Sequence, residues 1–197
     1  MGKKIAITGG IGSGKSTVSN LLRDIGYPVY SCDEIYEKIV NSKTYINEIK
    51  KVFPNAIRQG EIDKKRLAEI IFTNEQARKR LNAIAHPLIM QTLLKQMEEN
   101  KSQMVFAEVP LLLEGSFENL FDKTIVILRN REERIRSVCE RDGISSEKAI
   151  NRINAQFNYD DIDCRNRLQK SGVIFIENKG DISALKKSVN AALKHLM

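Results

Sequence analysis

The sequence contains no tryptophan and few other aromatic residues, which make up 6% of its 197 residues. Proteins that bind single-stranded nucleic acid stack the bases on aromatic side chains, and no such stacking platform is visible here. Cysteine is scarce too, and its three copies are scattered without any Cys-x-x-Cys spacing. Cys32, Cys139 and Cys164 therefore suggest neither a disulfide framework nor a zinc site.

Long apolar runs are also missing, and no stretch approaches the roughly 20 residues that a membrane-spanning helix needs. The first residues do not show the apolar core of a secretory signal followed by a cleavage site. We therefore expect a cytoplasmic protein with no membrane partner. The composition, 42% hydrophobic and 29% charged, is typical of a soluble globular protein, and the length suits one domain.

Positive charge is in excess, because the formal net charge is +7 and the isoelectric point is near 9.3. A basic chain favours polyanionic partners, which include nucleotides, phosphorylated metabolites and nucleic acid. Nucleic acid is disfavoured because the basic residues are interleaved with Asp and Glu and aromatic residues are few. We expect a small-molecule partner and no nucleic acid. The sequence leaves the oligomeric state open, with a monomer favoured.

The most informative segment is residues 9–17, which read GGIGSGKST. It fits G-x-x-x-x-G-K-[ST] and lies between an apolar strand pattern and a helical pattern, as a phosphate-binding loop requires. Glycines permit the positive φ angles that turn successive N–H groups towards an anion. Lys15 is expected to reach the β and γ phosphates of a nucleoside triphosphate, and Ser16 to hold Mg²⁺. The residues expected to bind the nucleotide in this segment are Gly10, Ile11, Gly12, Ser13, Gly14, Lys15, Ser16 and Thr17.

Five short β-branched runs, separated by helical patterns, predict an α/β fold whose five-stranded parallel sheet is covered by helices on both faces. In such three-layer folds ligands bind beyond the carboxyl ends of the strands. The residues directly after each strand are therefore the best functional candidates. The predicted strands are 4–8, 28–31, 103–108, 124–128 and 173–177.

Two stretches are longer than a simple crossover connection needs, and such inserts are usually functional. The first, about 33–102, is predicted to be helical with a break at 54–60 and to bind an acceptor substrate. The second, about 131–172, is predicted to form a helical lid. The prediction is a single domain whose core comprises residues 1–32, 103–130 and 173–197.

Two carboxylates follow predicted strands. Asp33 comes shortly after the second strand, where it could accept a proton from a substrate hydroxyl; an N-cap for the next helix explains it equally well. Glu108 ends the third strand, like the Walker-B carboxylate that orients metal-bound water. We therefore expect Glu108 to assist Ser16 at Mg²⁺ through a water molecule.

Five arginines cluster after the fourth predicted strand, where guanidinium groups could stabilise the charge of a transferring phosphoryl group. Arg134 and Arg141 are expected to share one face of a helix that begins near Asn130. The alternative is a solvated basic helix paired with its own glutamates, and it applies to at least half of the cluster. The five are Arg129, Arg131, Arg134, Arg136 and Arg141.

A second nucleotide-like motif, residues 178–181, reads Asn-Lys-Gly-Asp and fits the N-K-x-D pattern by which GTPases read guanine. The chain has no D-x-x-G, however, and one helix follows where a GTPase has a further strand and helix. The guanine interpretation is therefore disfavoured, as is a nucleotide-driven switch.

Several stretches together resemble the dephospho-CoA kinase family over nearly the whole chain. Only the phosphate-binding loop is specific by itself, but the order and spacing of the others make an accidental match improbable. Besides the loop, the stretches that carry the resemblance are 31–35, 62–72, 81–89, 108–114, 141–145, 149–156 and 176–178.

This resemblance implies ATP-dependent phosphorylation of the ribose 3′-hydroxyl of dephospho-CoA, with Mg²⁺, to give coenzyme A and ADP. It makes Asp33 the presumed base and Arg141 a lid arginine, and it includes Asn178 in the ATP site. An alternative of the same class is another small-molecule or nucleoside monophosphate kinase.

Three features depart from the family pattern. Ser31 stands where the family often has a first Asp, and Ser137 stands where a second lid arginine is common. The segment 156–178 is also longer than usual and lacks the usual Ala-Asp before the last strand.

Overall fold

The computed structural model describes residues 2–196, apart from the side chains of residues 72 and 73. Strands and helices alternate along most of this range. The strands are β1 (Lys3–Thr8), β2 (Val29–Ser31), β3 (Ile57–Arg58), β4 (Glu61–Ile62), β5 (Met104–Glu108), β6 (Lys123–Leu128) and β7 (Ile174–Glu177). The α-helices are α1 (Lys15–Asp24), α2 (Cys32–Ile39), α3 (Lys43–Val52), α4 (Lys64–Thr73), α5 (Glu75–Glu99), α6 (Arg131–Asp142), α7 (Ser146–Asn154), α8 (Ile162–Lys170) and α9 (Ile182–Leu196).

Five strands form one sheet in the order β2-β5-β1-β6-β7, which places β1 at its centre. The pairings of β1 with β5 and β6, and of β6 with β7, are parallel. All of β5 is buried, as expected of a strand covered on both faces. The prediction of an α/β fold with a five-stranded parallel sheet is confirmed. Each of these strands ends at its predicted residue and begins within one residue of the predicted start.

The chain forms two compact units, Ser31–Gln96 and the remainder, which comprises the residues up to Tyr30 and those from Met97 onward. In the larger unit, buried aliphatic residues of the sheet pack against the apolar faces of α1 and α9. Val18 and Leu22 of α1 are completely buried in this core. Helix α1 is thereby anchored to the sheet, and this anchoring fixes the end of the loop that precedes it.

The smaller unit has a core of its own around Tyr45 and Ile49, both completely buried. Its helix α3 begins at a side-chain cap, because the Ser42 hydroxyl accepts a hydrogen bond from the N–H of Tyr45 at 3.2 Å. Helix α4 is capped in the same way by Asp63, which accepts from the N–H of Arg66 at 3.0 Å.

The predicted break at 54–60 contains more structure than the sequence pattern indicated. A short 3₁₀ turn, Pro54–Ala56, leads into the antiparallel hairpin of β3 and β4. Gln59 and Gly60 at the tip have φ angles of 52° and 85°. Positive φ at both central residues is what a two-residue hairpin turn of type I′ requires, so this Gln–Gly pair closes the hairpin.

The parallel strands β1, β5, β6 and β7 end at one edge of the sheet, at Thr8, Glu108, Leu128 and Glu177. The phosphate-binding loop, the start of α6 and Asn178 all follow this edge. Within residues 2–196, no helix combines the length and the apolar character needed to cross a membrane.

Candidate active site

The phosphate-binding loop connects β1 to α1, which begins at Lys15. Two of its glycines are required by their surroundings. Gly12 has a φ of 77°, and a Cβ there would lie 2.7 Å from the carbonyl oxygen of Arg134. Gly14 has a φ of 95°, and a Cβ there would lie 2.3 Å from the Asn178 side-chain nitrogen. The loop is therefore closely enclosed by α6 and by the residue after β7.

Side chains hold the backbone carbonyl groups of this loop. The Lys15 amine donates to the carbonyl oxygens of Gly9 at 2.9 Å and Gly10 at 3.1 Å. The side-chain amide of Asn178 donates to the carbonyl of Ser13 at 2.9 Å. Because a trans peptide unit is planar, a fixed carbonyl directs the N–H of the next residue the opposite way. These contacts therefore determine which N–H groups can face an anion.

Two arginines hold the remaining carbonyls of the loop. Arg134 donates from Nε to the carbonyl of Ile11 at 3.1 Å, and Arg129 donates from Nη1 to that of Gly12 at 3.3 Å. Arg129 also donates to the Ser137 hydroxyl at 2.9 Å. Ser137 stands where the family commonly has a second lid arginine. Here the guanidinium group of Arg129, the residue directly after β6, contacts that position instead.

Arg134 and Arg141 lie in different surroundings although both belong to α6. Arg134 is only 3% exposed, whereas the Arg141 side chain is 60% exposed. Burial lowers the pKa of the Arg134 guanidinium, and the Asp160 carboxylate at 3.4 Å acts in the opposite direction. The sequence predicted one shared helix face for the two arginines, but Arg134 is buried and Arg141 is exposed.

The segment after α7 supports the loop and β1. The Gln156 side-chain oxygen accepts a hydrogen bond from the N–H of Ile11 at 2.6 Å. The Tyr159 hydroxyl lies 3.3 Å from that of Thr8, at the end of β1, and burial raises the pKa of Tyr159. Sequence reasoning assigned no role to Gln156 or Tyr159. The available signal was the unusual length of the segment that begins at residue 156.

Asp160 is shared by three arginines. Its carboxylate lies 3.4 Å from Arg134 and 3.6 Å from both Arg131 and Arg165. The cluster therefore carries more positive than negative charge. No motif in the sequence indicated Asp160, because its partners belong to different helices.

Glu108, the last residue of β5, contacts two serines of α1. Its carboxylate oxygens accept hydrogen bonds from the hydroxyls of Ser16 at 3.0 Å and Ser19 at 2.8 Å, and the residue is 7% exposed. The structure thus brings together the two residues that were predicted to act at Mg²⁺. A hydroxyl and a carboxylate are oxygen donors, the type that Mg²⁺ prefers.

No group of three or more His, Cys, Asp or Glu side chains that could hold a metal ion occurs in residues 2–196. Mg²⁺ at nucleotide sites takes one or two protein oxygens and completes its coordination with phosphates and water. The pair formed by Ser16 and Glu108 fits that requirement.

A cavity of about 460 Å³ opens beyond the carboxyl ends of β6 and β7. Its volume is in the range of sites for small-molecule ligands. Cationic side chains in its wall are Arg129, Arg131, Arg165 and Lys179, with Asn178 beside them. Because Arg129 and Asn178 also hold the phosphate-binding loop, the cavity adjoins that loop.

The guanine-like motif at 178–181 has structural contacts that account for its polar residues. Asn178 donates to the loop and also accepts a hydrogen bond from the N–H of Gly180 at 3.0 Å. Asp181 accepts from the N–H of Ser183 at 2.8 Å, at the start of α9. Lys179 pairs with Glu177 at 3.4 Å. These contacts account for the polar residues of the motif without a bound guanine.

Arg141, a predicted catalytic residue, lies in the last turn of α6. Its guanidinium group contacts both carboxylate oxygens of Asp142, at 2.7 and 3.1 Å. These contacts lower the pKa of Asp142, which also pairs with Arg152 at 2.6 Å. Arg141 therefore stands in an ion-pair cluster at the exposed end of the helix.

Asp33, the predicted base, is exposed and lies in the first turn of α2. The N-cap of this helix is Ser31, so the alternative that Asp33 is the N-cap is wrong. An acidic residue in the first turn still interacts favourably with the positive end of the helix.

Comparison with known proteins gives consistent results along the chain. A family model described as dephospho-CoA kinase matches residues 3–183. A dephospho-CoA kinase of Thermus thermophilus is 34% identical over 192 residues, which cover 98% of this chain and 91% of that protein. One of Fusobacterium nucleatum is 35% identical over 187 residues, covering 94% of each. The solved structure of dephospho-CoA kinase from Campylobacter jejuni has 30% identity and a TM-score of 0.68, covering 100% of this chain and 98% of that one.

Proposed function

The chain belongs to the dephospho-CoA kinase family, and we propose from this premise that it transfers the γ-phosphoryl group of ATP to the ribose 3′-hydroxyl of dephospho-CoA. The observation that carries the proposal is the preformed phosphate-binding loop, in which side chains hold each carbonyl from Gly9 to Ser13. Such a loop presents N–H groups to a polyphosphate at the positive end of a helix.

The reaction requires one bond to form and one to break. The 3′-oxygen of the acceptor bonds to the γ-phosphorus, the bond from that phosphorus to the oxygen shared with the β-phosphate breaks, and ADP leaves. The hydroxyl proton passes to a base, for which we propose Asp33. The protein mainly positions the reactants and stabilises their charge. Lys15 would exchange its carbonyl partners, Gly9 and Gly10, for β- and γ-phosphate oxygens.

Ser16 and Glu108 are the residues that would hold Mg²⁺, Ser16 through its hydroxyl oxygen and Glu108 through a water molecule. The Ser16 hydroxyl donates its hydrogen to Glu108, so its lone pairs remain available to a cation. When bound, the ion would neutralise part of the charge on the β and γ phosphates.

Glu108→Gln is expected to raise the Mg²⁺ concentration for half-maximal turnover about 10- to 100-fold, the usual effect of losing an outer-sphere partner. The substitution preserves shape but removes the charge that orients the Ser16 hydroxyl. Mg²⁺ titrations at fixed ATP measure the shift, and thermal melts check the fold. Ser19→Ala is the matched control, because it removes the other serine contact of Glu108 and leaves Ser16 in place. An unchanged Mg²⁺ dependence in Glu108→Gln would contradict the assignment.

Arg141 is proposed to contact the transferring phosphoryl group after exchanging Asp142 for phosphate oxygens. Arg141→Ala is expected to lower kcat/KM by about 10²-fold, which is below the 10³–10⁵ range of fully inserted arginine fingers. Arg136→Ala, an exposed position on the same helix, is the control and should leave kcat/KM nearly unchanged. Steady-state kinetics of both variants measure the difference. Equal and small effects of the two substitutions would contradict the proposed role of Arg141 and indicate that α6 is only a solvated basic helix.

The proposed reaction is tested by incubating the protein with ATP, Mg²⁺ and dephospho-CoA and by measuring CoA and ADP in equal amounts. Faster turnover of adenosine monophosphate or shikimate would overturn the choice of acceptor. A strong preference for GTP over ATP would support the guanine interpretation of Asn178 and Asp181 instead.

We also propose that the enzyme acts as a monomer in the cytoplasm. Sedimentation at assay concentration measures the oligomeric state.

A further inference from the structure

We infer that Arg134 is a positioning residue, which fixes the shape of the phosphate-binding loop before the nucleotide arrives and does not itself contact the transferring phosphoryl group. This inference rests on the proposed function, because the loop it concerns is the ATP site of that reaction. It assigns Arg134 a role different from that of Arg141 on the same helix.

The surroundings of Arg134 favour a fixed side chain. The residue is 3% exposed, and its guanidinium group donates from Nε to the Ile11 carbonyl and from Nη1 to Asp160. A buried guanidinium group is stable only when its N–H groups are paired, so leaving these partners for a phosphate would carry a large desolvation cost. Arg141, by contrast, is exposed and can move without that cost.

The contact with Ile11 is one half of a two-sided clamp. While Arg134 binds the Ile11 carbonyl at 3.1 Å, Gln156 accepts from the Ile11 N–H at 2.6 Å. Both polar backbone groups of one loop residue are thus bound by side chains more than 100 positions away in sequence. Neither peptide unit beside Ile11 can rotate without breaking a hydrogen bond.

Clamping these two peptide units sets the direction of the groups next to them. With the Ile11 carbonyl fixed on Arg134, the N–H of Gly12 must point the opposite way. With the Ile11 N–H fixed on Gln156, the Gly10 carbonyl is turned to the other side, where the Lys15 amine and the Ser13 N–H donate to it. The clamp therefore imposes on residues 10–12 the alternation that a curved anion-binding loop needs.

The glycines of the loop are fitted to Arg134. A Cβ at Gly10 would lie 2.3 Å from the Arg134 guanidinium group, and one at Gly12 would lie 2.7 Å from its carbonyl oxygen. The loop backbone thus packs directly on this arginine. A shorter cation at position 134 could keep the charge but could not reach Ile11 and Asp160 together.

The test compares nucleotide affinity with turnover in Arg134→Lys and Arg134→Gln. We expect the Kd for ADP and the KM for ATP to rise about 10- to 100-fold, the scale of one charge-assisted hydrogen bond. At saturating ATP, which restores the loop by mass action, kcat should stay within about 3-fold of the wild-type value. Arg136→Gln, exposed on the same helix, is the control and should leave both quantities unchanged.

A fall in kcat at saturating ATP with an unchanged Kd for ADP would overturn the inference, because it is the result expected of a group that contacts only the transition state. Unchanged values of both would also overturn it. If the Arg134 variants do not fold, Gln156→Ala provides a second test, because it removes the partner of the Ile11 N–H and leaves Arg134 and Asp160 in place. That variant should weaken ADP binding with kcat retained, and an unchanged Kd would count against the clamp.

Calorimetric binding of ADP needs no acceptor substrate, so it separates this inference from the proposed function. A wild-type protein that binds ADP but produces no CoA would contradict the proposed reaction. The comparison of ADP affinities between wild type and Arg134→Lys would still decide the role of the arginine.

Discussion

Replacing Lys15 by alanine is expected to lower CoA formation by at least about 10³-fold, the upper range for losing one preorganised stabilising group. The amine of Lys15 lies against the carbonyls of Gly9 and Gly10, at the mouth of a loop whose other carbonyls are held by residues outside it. In the proposed reaction it is the one loop side chain that carries a full positive charge to the phosphates. Its loss would leave part of the developing charge on the γ-phosphoryl group uncompensated.

The fold should survive this change, because Lys15 contributes no apolar surface to the core formed by α1 and the sheet. Thermal melts should therefore match those of the wild type while CoA production, followed by coupled ADP release, disappears. Lys187→Ala removes an exposed lysine of α9 and is the matched control for net charge. Lys15→Arg should also be strongly impaired, since a planar guanidinium group does not replace a compact ammonium group. Near-normal kcat with unchanged nucleotide affinity in Lys15→Ala would contradict the phosphate-binding role.

The features that could be predicted from the sequence are those that depend on neighbours along the chain. Buried strands such as β5 are continuous apolar runs, and each run stops where the sheet meets the site, which explains why the strand ends were predicted to the residue. The phosphate-binding loop is likewise local, because its glycines and Lys15 lie within one short segment. The hairpin of β3 and β4 was missed because its strands have two residues each and are too short to show a period.

The contacts that shape the loop could not be predicted, because they join distant segments. The spacing of Arg134 and Arg141 does not indicate that one is buried and the other exposed, because the exposure of each side chain depends on how α6 packs. Gln156 and Asp160 lie in an irregular segment after α7, where side-chain period carries no information. Asn178 was predicted to bind the nucleotide, and the structure adds a contact with the carbonyl of Ser13 that no motif records.

Asp33, the proposed base, is a second position at which a single substitution should have a large effect on turnover. Asp33→Asn is expected to lower kcat by about 10²-fold or more, the usual scale for a positioned general base, while KM values change little. The amide has the same shape as the carboxylate but cannot accept the hydroxyl proton. Single-turnover or steady-state kinetics with dephospho-CoA measure the loss.

Stability separates this catalytic role from a helix-terminal one. Asp33 lies in the first turn of α2 but is not its N-cap, which is Ser31. Removing its charge should therefore lower the free energy of unfolding by about 0.3–1 kcal/mol, the value of one charge near a helix end. Glu34→Gln removes a neighbouring charge from the same turn and should reproduce this stability loss with kcat retained. If instead both variants lose stability alike and both retain kcat, the carboxylate of Asp33 serves only the helix, and the proton must leave the 3′-hydroxyl by another route.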